Sequence, residues 1–202
     1  MRIKSAILGL ALALFCIPAL AQNGRSEISA DFTGNFQKSV TGLGATDTPS
    51  YSGGFLIDYR YDFNNWSGFE LNYAHNRFTQ YYSAGGSLAD QTQSNVNEVT
   101  LAYVNTLGFS PHARIRPFVE AGTGGLIFSP VSAGTTTPLA LTQDRMAFLY
   151  GGGVDYRLVR RFAVRVGYRG LVYKAPDFTV GDQVTNALTH EAEPYAGIVF
   201  RF

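Results

Sequence analysis

The chain has 202 residues, of which 46% are hydrophobic, 15% charged and 14% aromatic, with 22 Gly, 12 Tyr and 15 Phe. That content excludes a disordered tail, and the lack of any apolar run of about 20 residues beyond the first twenty positions excludes a multi-span helical membrane protein. A formal net charge of +1 without basic clusters gives no support to a nucleic-acid binder or a polybasic membrane adhesin.

The first segment carries the marks of export. Arg2 and Lys4 give a positive start, residues 6–17 an apolar run, and Ala19 and Ala21 the small-x-small pattern a signal peptidase needs. Cleavage after Ala21 is expected, dividing the chain into a signal peptide, 1–21, and a mature domain, 22–202. A retained anchor is the rival, but the run is short and ends at Pro18. A lipoprotein is another, since Cys16 lies near the end of the run, but Phe15 is too bulky for the position before a lipidated Cys. Removal of 1–21 takes away Arg2, Lys4 and Cys16, leaving 14 basic and 15 acidic residues, a net charge of −1, and no thiol chemistry.

From residue 25 onward apolar or aromatic side chains recur at every second position, the period of a strand rather than a helix. The first stretch, about 27–36, sets Ile28, Ala30, Phe32, Gly34 and Phe36 against Glu27, Ser29, Asp31, Thr33 and Asn35. The second sets Tyr51, Gly53, Phe55, Ile57, Tyr59 and Tyr61 against Ser52, Gly54, Asp58 and Arg60. The third, from about Trp66, opposes Phe69, Leu71 and Tyr73 to Glu70, Asn72 and Ala74, and the fourth Val99, Leu101 and Tyr103 to Glu98, Thr100 and Ala102. The fifth, 117–128, opposes Val119, Ala121 and Thr123 to Glu120, Gly122 and Gly124. The sixth, 145–157, opposes Met146, Phe148, Tyr150, Val154 and Tyr156 to Arg145, Ala147, Gly151, Asp155 and Arg157. The seventh, 162–173, sets Phe162, Val164, Val166, Tyr168 and Val172 against Arg165, Gly167 and Arg169, and the eighth, 193–202, sets Ala196, Ile198, Phe200 and Phe202 against Glu193, Gly197 and Arg201.

The connections alternate in length. Short ones fall at about 62–65, 106–114 and 158–161, and long ones rich in Ser, Thr, Gly and Asp at about 37–50, 79–95, 129–144 and 174–189. Eight strands joined in this way form an all-β, eight-stranded antiparallel up-and-down transmembrane β-barrel of the bacterial outer membrane, with tight periplasmic turns and longer loops outside. A strand of about 10 residues tilted by about 40° spans roughly 25 Å, the height of the apolar band of such barrels. A soluble lipocalin-like barrel shares the alternation but would carry most of its charge outside, whereas here the polar face holds a few charges of both signs per strand, as a water-excluding interior would. Aromatics gather at strand ends and predict two interfacial girdles: Tyr61, Phe63, Trp66, Tyr103, Phe109, Tyr156, Phe162 and Phe202 near the short turns, and Phe36, Tyr51, Phe78, Tyr81, Tyr82, Phe128 and Tyr173 near the long loops.

The last residues, Tyr195-Ala196-Gly197-Ile198-Val199-Phe200-Arg201-Phe202, resemble the signal read by the outer-membrane barrel assembly machinery, which implies roles for Tyr195, Gly197, Phe200 and Phe202 and makes that machinery a partner in biogenesis. The segment Arg116-Pro117-Phe118-Val119-Glu120-Ala121-Gly122-Thr123-Gly124 is similar to the fifth strand of the OmpA-type transmembrane β-barrel family. The resemblance covers about 25–202. Outer membrane lipid and lipopolysaccharide are the expected surroundings and a monomer the expected state, with no nucleic-acid partner, as the charge already argues. The chain stops at the eighth strand, so the family's peptidoglycan-binding domain is not implied. Pro194 lacks a ladder donor and predicts a bulge or a strand start.

Inward charges are the most specific internal feature: Asp58, Arg60, Glu70, Glu98, Glu120, Arg145, Asp155, Arg157, Arg165, Arg169 and Arg201. A lumen this narrow is filled by side chains, so these groups must pair across it or hold water. Two readings follow: a packed polar plug under a scaffold that interacts through its loops, or a small porin-like channel in which a pair drawn from Glu70, Glu98 and Glu120 with Arg165 and Arg169 gates an ion path, as the resemblance suggests. A lipid A-modifying enzyme ranks third, because none of His75, His112 and His190 sits in a His-x-Ser arrangement. No catalytic, cofactor or metal residue is assigned. Gly122-Thr123-Gly124-Gly125 and Gly151-Gly152-Gly153 lie within strands rather than before a helix, which argues against phosphate cradles. Alternation separates His190 from Glu191 and Glu193, which argues against a joint metal site. In the loops Tyr81, Tyr82 and Phe178 are the candidate apolar anchors for a surface ligand.

Overall fold

A strand that is apolar on one side and polar on the other cannot lie in a bilayer with an unpaired edge, because every backbone donor and acceptor there needs a partner within the protein. The computed structural model, which describes residues 25–84, 87–107, 113–136 and 140–202, meets that demand by closure. Its strands are β1 (Ser26–Gln37), β2 (Val40–Gly42), β3 (Ala45–Pro49), β4 (Ser52–Asp62), β5 (Ser67–Ala84), β6 (Ser87–Thr106), β7 (Ile115–Pro130), β8 (Gln143–Arg157), β9 (Phe162–Lys174) and β10 (Leu188–Arg201). Eight of them form an antiparallel ring in which each pairs with its neighbour in sequence, β5 pairs with β6, and β1 closes against β10 with Glu27 opposite Arg201 and Phe32 opposite Ala196. The proposed leader, 1–21, and Phe109 and His112 lie outside the described residues.

The two faces fall as the alternation predicts. Phe32 is 82% exposed, and Ile57, Phe69, Leu101, Phe148, Val166 and Ile198 are also exposed, while Glu27, Asp31, Asp58, Glu70, Glu98 and Arg165 are buried. Polar side chains therefore fill the inside and apolar ones clothe the outside. That inversion of a soluble core is stable only where lipid replaces water around the wall.

Four features differ from the sequence expectation. Residues 79–95 are not an irregular loop: β5 and β6 continue as a ladder from Arg77 opposite Asn95 to Ala84 opposite Ser87, with one register shift between Tyr82 and Ser83. Their Thr, Gln and Ser content suits a hydrated hairpin as well as a loop, and pairing satisfies their backbone. Inside the first long connection β2 and β3 form a hairpin, and β3 adds to the outer part of β5 with Asp47 opposite Tyr82. The second girdle is only partly a girdle: Phe36, Tyr51 and Tyr81 are exposed, but Phe78, Tyr82, Phe128 and Tyr173 are buried inside. Finally, Pro194 makes neither a bulge nor a strand start. It lies within β10 opposite Tyr168 in an unbroken register with β9, while the ladder to β1 skips Gly34 and Asn35 and resumes in the same register at Phe36 and Ala192. The missing N–H thus faces the one stretch of the seam that makes no bridge.

Candidate functional site

The lumen is built in three levels. Nearest the short turns, Arg165 of β9 gathers carboxylates from four other strands: Asp155 at 2.7 Å, Glu70 at 3.2 Å, Glu27 at 3.3 Å and Asp58 at 3.7 Å. Arg60 reaches Glu70 at 2.6 Å, and Arg201 reaches Glu27 at 2.8 Å and Asp155 at 3.0 Å. The Phe118 ring lies under two guanidiniums, 4.3 Å from Arg60 and 5.0 Å from Arg165, a stacking that weakly hydrated guanidinium favours and ammonium does not. The Tyr195 ring fills the space beside Gly167, where a Cβ would stand 2.5 Å from the ring.

At mid-height Arg169 pairs with Glu98 at 3.0 Å and with Glu193. Asn35 donates to Glu193 and, at 3.2 Å, to Glu191, which also accepts from Tyr173 Oη at 2.7 Å. Glu120 makes no ion pair among the described residues. Its carboxyl shares a hydrogen bond with that of Glu70, and one oxygen lies against Gly151, 2.7 Å from where a Cβ would be.

Toward the long loops the polar network gives way to a buried apolar cluster of Phe78, Tyr82, Val96, Leu126, Phe128, Leu149, Leu171, Tyr173 and Phe178. Phe178 comes from the last long connection and enters the barrel mouth, edge-on to Tyr82 and Phe128 with centroids 6.5 and 6.4 Å away. Two consecutive residues adopt left-handed backbone there, Phe178 at φ 45° and Thr179 at φ 67°, a conformation costly for bulky and β-branched side chains. A latch holds them: Gln143 donates to Asp177 at 2.6 Å and accepts from the N–H groups of Asp177 and Phe178, and Arg145 binds Asp177 at 3.1 Å. Burial alone would raise the Asp177 carboxyl, but the bonds from Gln143 and the Thr179 N–H and the Arg145 charge hold it below the usual range. The same mouth contains Asp47 of β3. It is fully buried, neither of its oxygens finds a donor among the described residues, and burial pushes its carboxyl up to about 8.

Of the five residues named as a gate, the structure brings Glu70 and Arg165 into the lower network and Glu98 and Arg169 into the middle one, while Glu120 pairs with neither arginine. Glu27, Asp31 and Glu193, which the alternation sets on the polar face of their strands, complete the polar interior together with Glu191, which shares the parity of Glu193 and lies just before the stretch read from sequence. Tyr82 and Phe178 are not surface anchors, since both are 0% exposed. Of the C-terminal residues, Tyr195 points inward and Gly197 lets β10 approach β1, while Phe200 packs outside against Phe162 and Phe202 at 5.1 and 5.3 Å. His75 lies against Asn97 at 3.0 Å and His190 against Tyr150 Oη at 2.9 Å, both on the outward face.

An eight-stranded closed ring with an apolar exterior and a polar, ion-paired interior is a transmembrane barrel of the bacterial outer membrane. The model of the outer membrane protein beta-barrel domain matches residues 7–191, and the chain belongs to that family. Among solved structures it is similar to Neisserial surface protein A, at 16% identity and a TM-score of 0.60, covering 89% of this chain and 98% of that one. It is also similar to the outer membrane protein OprG from Pseudomonas aeruginosa, at 13% identity and 0.61, covering 88% and 95%, and to the outer membrane protein AlkL in lipid bilayers, at 12% identity and 0.51, covering 88% and 89%. At these identities the likeness is one of fold. No curated protein sequence matches the chain.

Proposed function

We propose that the protein is a sealed scaffold of the outer membrane that presents its long connections at the cell surface, where it interacts with other molecules. The observation that carries this reading is the filling of the lumen: Arg60, Arg165 and Arg169 are each 1% exposed among their carboxylates, and Phe178 stops the mouth above them. In this reading residues 1–21 direct export and are removed, Tyr195, Gly197, Phe200 and Phe202 address the chain to the barrel assembly machinery, and the mature protein is a monomer. Single-channel recording of refolded protein, shown to be folded by its heat-dependent gel mobility, tests the seal. A silent bilayer is the expected result, and discrete, reproducible conductance steps would overturn it.

The second reading is a narrow ion path gated by Glu70, Glu98 and Glu120 with Arg165 and Arg169, favoured by the Glu120 carboxyl, which is bonded to Glu70 and has no arginine partner beside two engaged arginine networks. There Glu98→Gln alters unit conductance, and an unaltered trace removes Glu98 from the gate. Lipid modification ranks last, because the partners of His75 and His190 are an amide and a phenol rather than a serine nucleophile.

A further inference from the structure

The barrel mouth has two unlike halves. The inward faces of β7, β8 and β9 are apolar there, whereas β3, β5 and β6 turn Asp47, Gln80 and Ser94 into the same space, and the last long connection adds Thr185. None of these four is more than 3% exposed. Yet among the described residues both oxygens of Asp47, both polar atoms of the Gln80 amide and the hydroxyls of Ser94 and Thr185 find no hydrogen-bond partner. Native interiors leave few such groups, and a gathering of them marks a place where a further partner completes the bonding. Strand pairing brings them together. Asp47 lies opposite Tyr82 and so diagonal to Gln80, which in turn is diagonal to Ser94. Diagonal neighbours on one face stand about 7–8 Å apart at the backbone, within reach of a glutamine. The last connection crosses the same place: its single helical turn, Gly181–Gln183, packs on β3, and the Thr185 carbonyl lies against Gly42 of the hairpin. The charges of the mouth are engaged elsewhere, Arg145 with Asp177, and Glu191 with Tyr173 and Asn35. Among the described residues no arginine or lysine pairs with Asp47, which is a lone carboxyl among neutral oxygens.

We propose that Asp47, Gln80 and Thr185 hold a calcium ion that ties the β2–β3 hairpin to the last long connection across the barrel mouth. The donor set selects the ion. Each residue offers an oxygen, which suits a hard cation, and among the described residues no three of His, Cys, Asp and Glu stand together as a transition metal would want. Calcium accepts carboxylate and amide oxygens in an irregular shell that water completes, whereas magnesium dehydrates reluctantly and demands a regular octahedron. A single carboxylate makes a weak site, with a Kd of about 0.1–1 mM, the range of extracellular calcium modules. The ion supplies the charge that Asp47 lacks and joins two segments that meet only at this point of the mouth.

The test is hydrogen exchange of the mature protein refolded in dodecyl maltoside, compared in calcium, in magnesium and in a chelator at one alkaline pH, where the Asp47 carboxyl is ionised. At about 5 mM free ion, calcium should raise the protection factors of residues 40–49 and 181–187 by about ten-fold, as a site with a Kd of about 0.5 mM gives. Asp47→Asn should abolish the response, and Asp144→Asn, which removes an exposed carboxylate of β8, should leave it intact. Gln80→Glu adds a second carboxylate and should lower the calcium concentration of half-response by about ten-fold. A wild type indifferent to calcium, or an undiminished response in Asp47→Asn, overturns the site. An equal response to magnesium overturns the assignment to calcium, and a half-response unmoved by Gln80→Glu overturns the place of Gln80 in the shell.

Discussion

Replacing Arg165 by Met removes the charge that five strands share while keeping an unbranched stem over Phe118. Arg60 still serves Glu70, and Arg201 still serves Glu27 and Asp155, so the carboxylate left without a cation within 4 Å is Asp58, whose remaining donors are the neutral Ser29 hydroxyl at 2.9 Å and Asn72 amide at 2.8 Å. Stranding one partner of a buried ion pair costs about 3–5 kcal/mol. With a urea slope of about 2 kcal/mol per molar, the unfolding midpoint should fall by roughly 2 M. The assay is urea unfolding of refolded barrel in micelles, followed by the loss of the heat-modifiable gel band. A second substitution, Asp58→Asn, removes the stranded charge and should restore half or more of the loss, a coupling a double-mutant cycle reads directly. A loss below about 1 kcal/mol in Arg165→Met, or no recovery in the double variant, would refute the reasoning, because it would mean that water reaches Asp58 and the lower lumen is not sealed.

Three other outcomes test other parts of the interior. Phe178→Ala should free the last long connection, lowering hydrogen-exchange protection across 175–187 by about 3 kcal/mol, with the urea midpoint of the whole barrel unchanged; unaltered exchange would show that the latch at Gln143 suffices alone. Glu120→Gln should stabilise the barrel by on the order of 1 kcal/mol, because an amide can still donate to the Glu70 carboxylate but cannot add a second buried negative charge beside it; a loss of stability would show that the carboxyl itself is needed there. Burial raises the carboxyl of Asp47 to about 8 in the fold from about 4 in an unfolded chain, so its contribution to hairpin stability is complete below about 4 and is lost as pH rises to about 8, on the order of 5 kcal/mol in all. Protection factors of residues 40–49, which are corrected for the intrinsic rise of exchange with pH, should fall over that window in the wild type and stay level in Asp47→Asn; parallel protection profiles for the two proteins would disprove it.

Much of this architecture was legible because a period of two assigns a face to every residue once one is known. Glu70 is inward, and counting by twos along the same strand reaches Phe78, Gln80 and Tyr82, all buried. The same count from Glu120 reaches Phe128, and from Arg169 it reaches Tyr173. Reading those aromatics as an interfacial girdle gave residue type precedence over parity, and parity won because a barrel wall offers no third direction. Glu191 shares the parity of Glu193 and Arg201 and is recoverable in the same way. Other features left no such trace. Phe178 lies outside any periodic segment, and its place depends on a left-handed turn and a latch drawn from β8. The pairing of β3 with β5 joins segments more than thirty residues apart, whose composition suits a loop equally well. Partner choice among charges is likewise a property of closure: sequence places Arg165 and Asp58 inside, but not 3.7 Å apart.

The carboxylates around Arg165 come from β1, β4, β5 and β8, so no two or three strands can form that cluster by themselves. Folding therefore resists stepwise completion, because a partly curled sheet would hold carboxylates whose guanidinium has not arrived. The pair that spans the closing seam joins the first and last strands, Glu27 to Arg201, at 2.8 Å. Cooperativity is built into the interior charge: a chain truncated before its final strand forfeits the Arg201 contact to Glu27 and with it the electrostatic closure of the first strand.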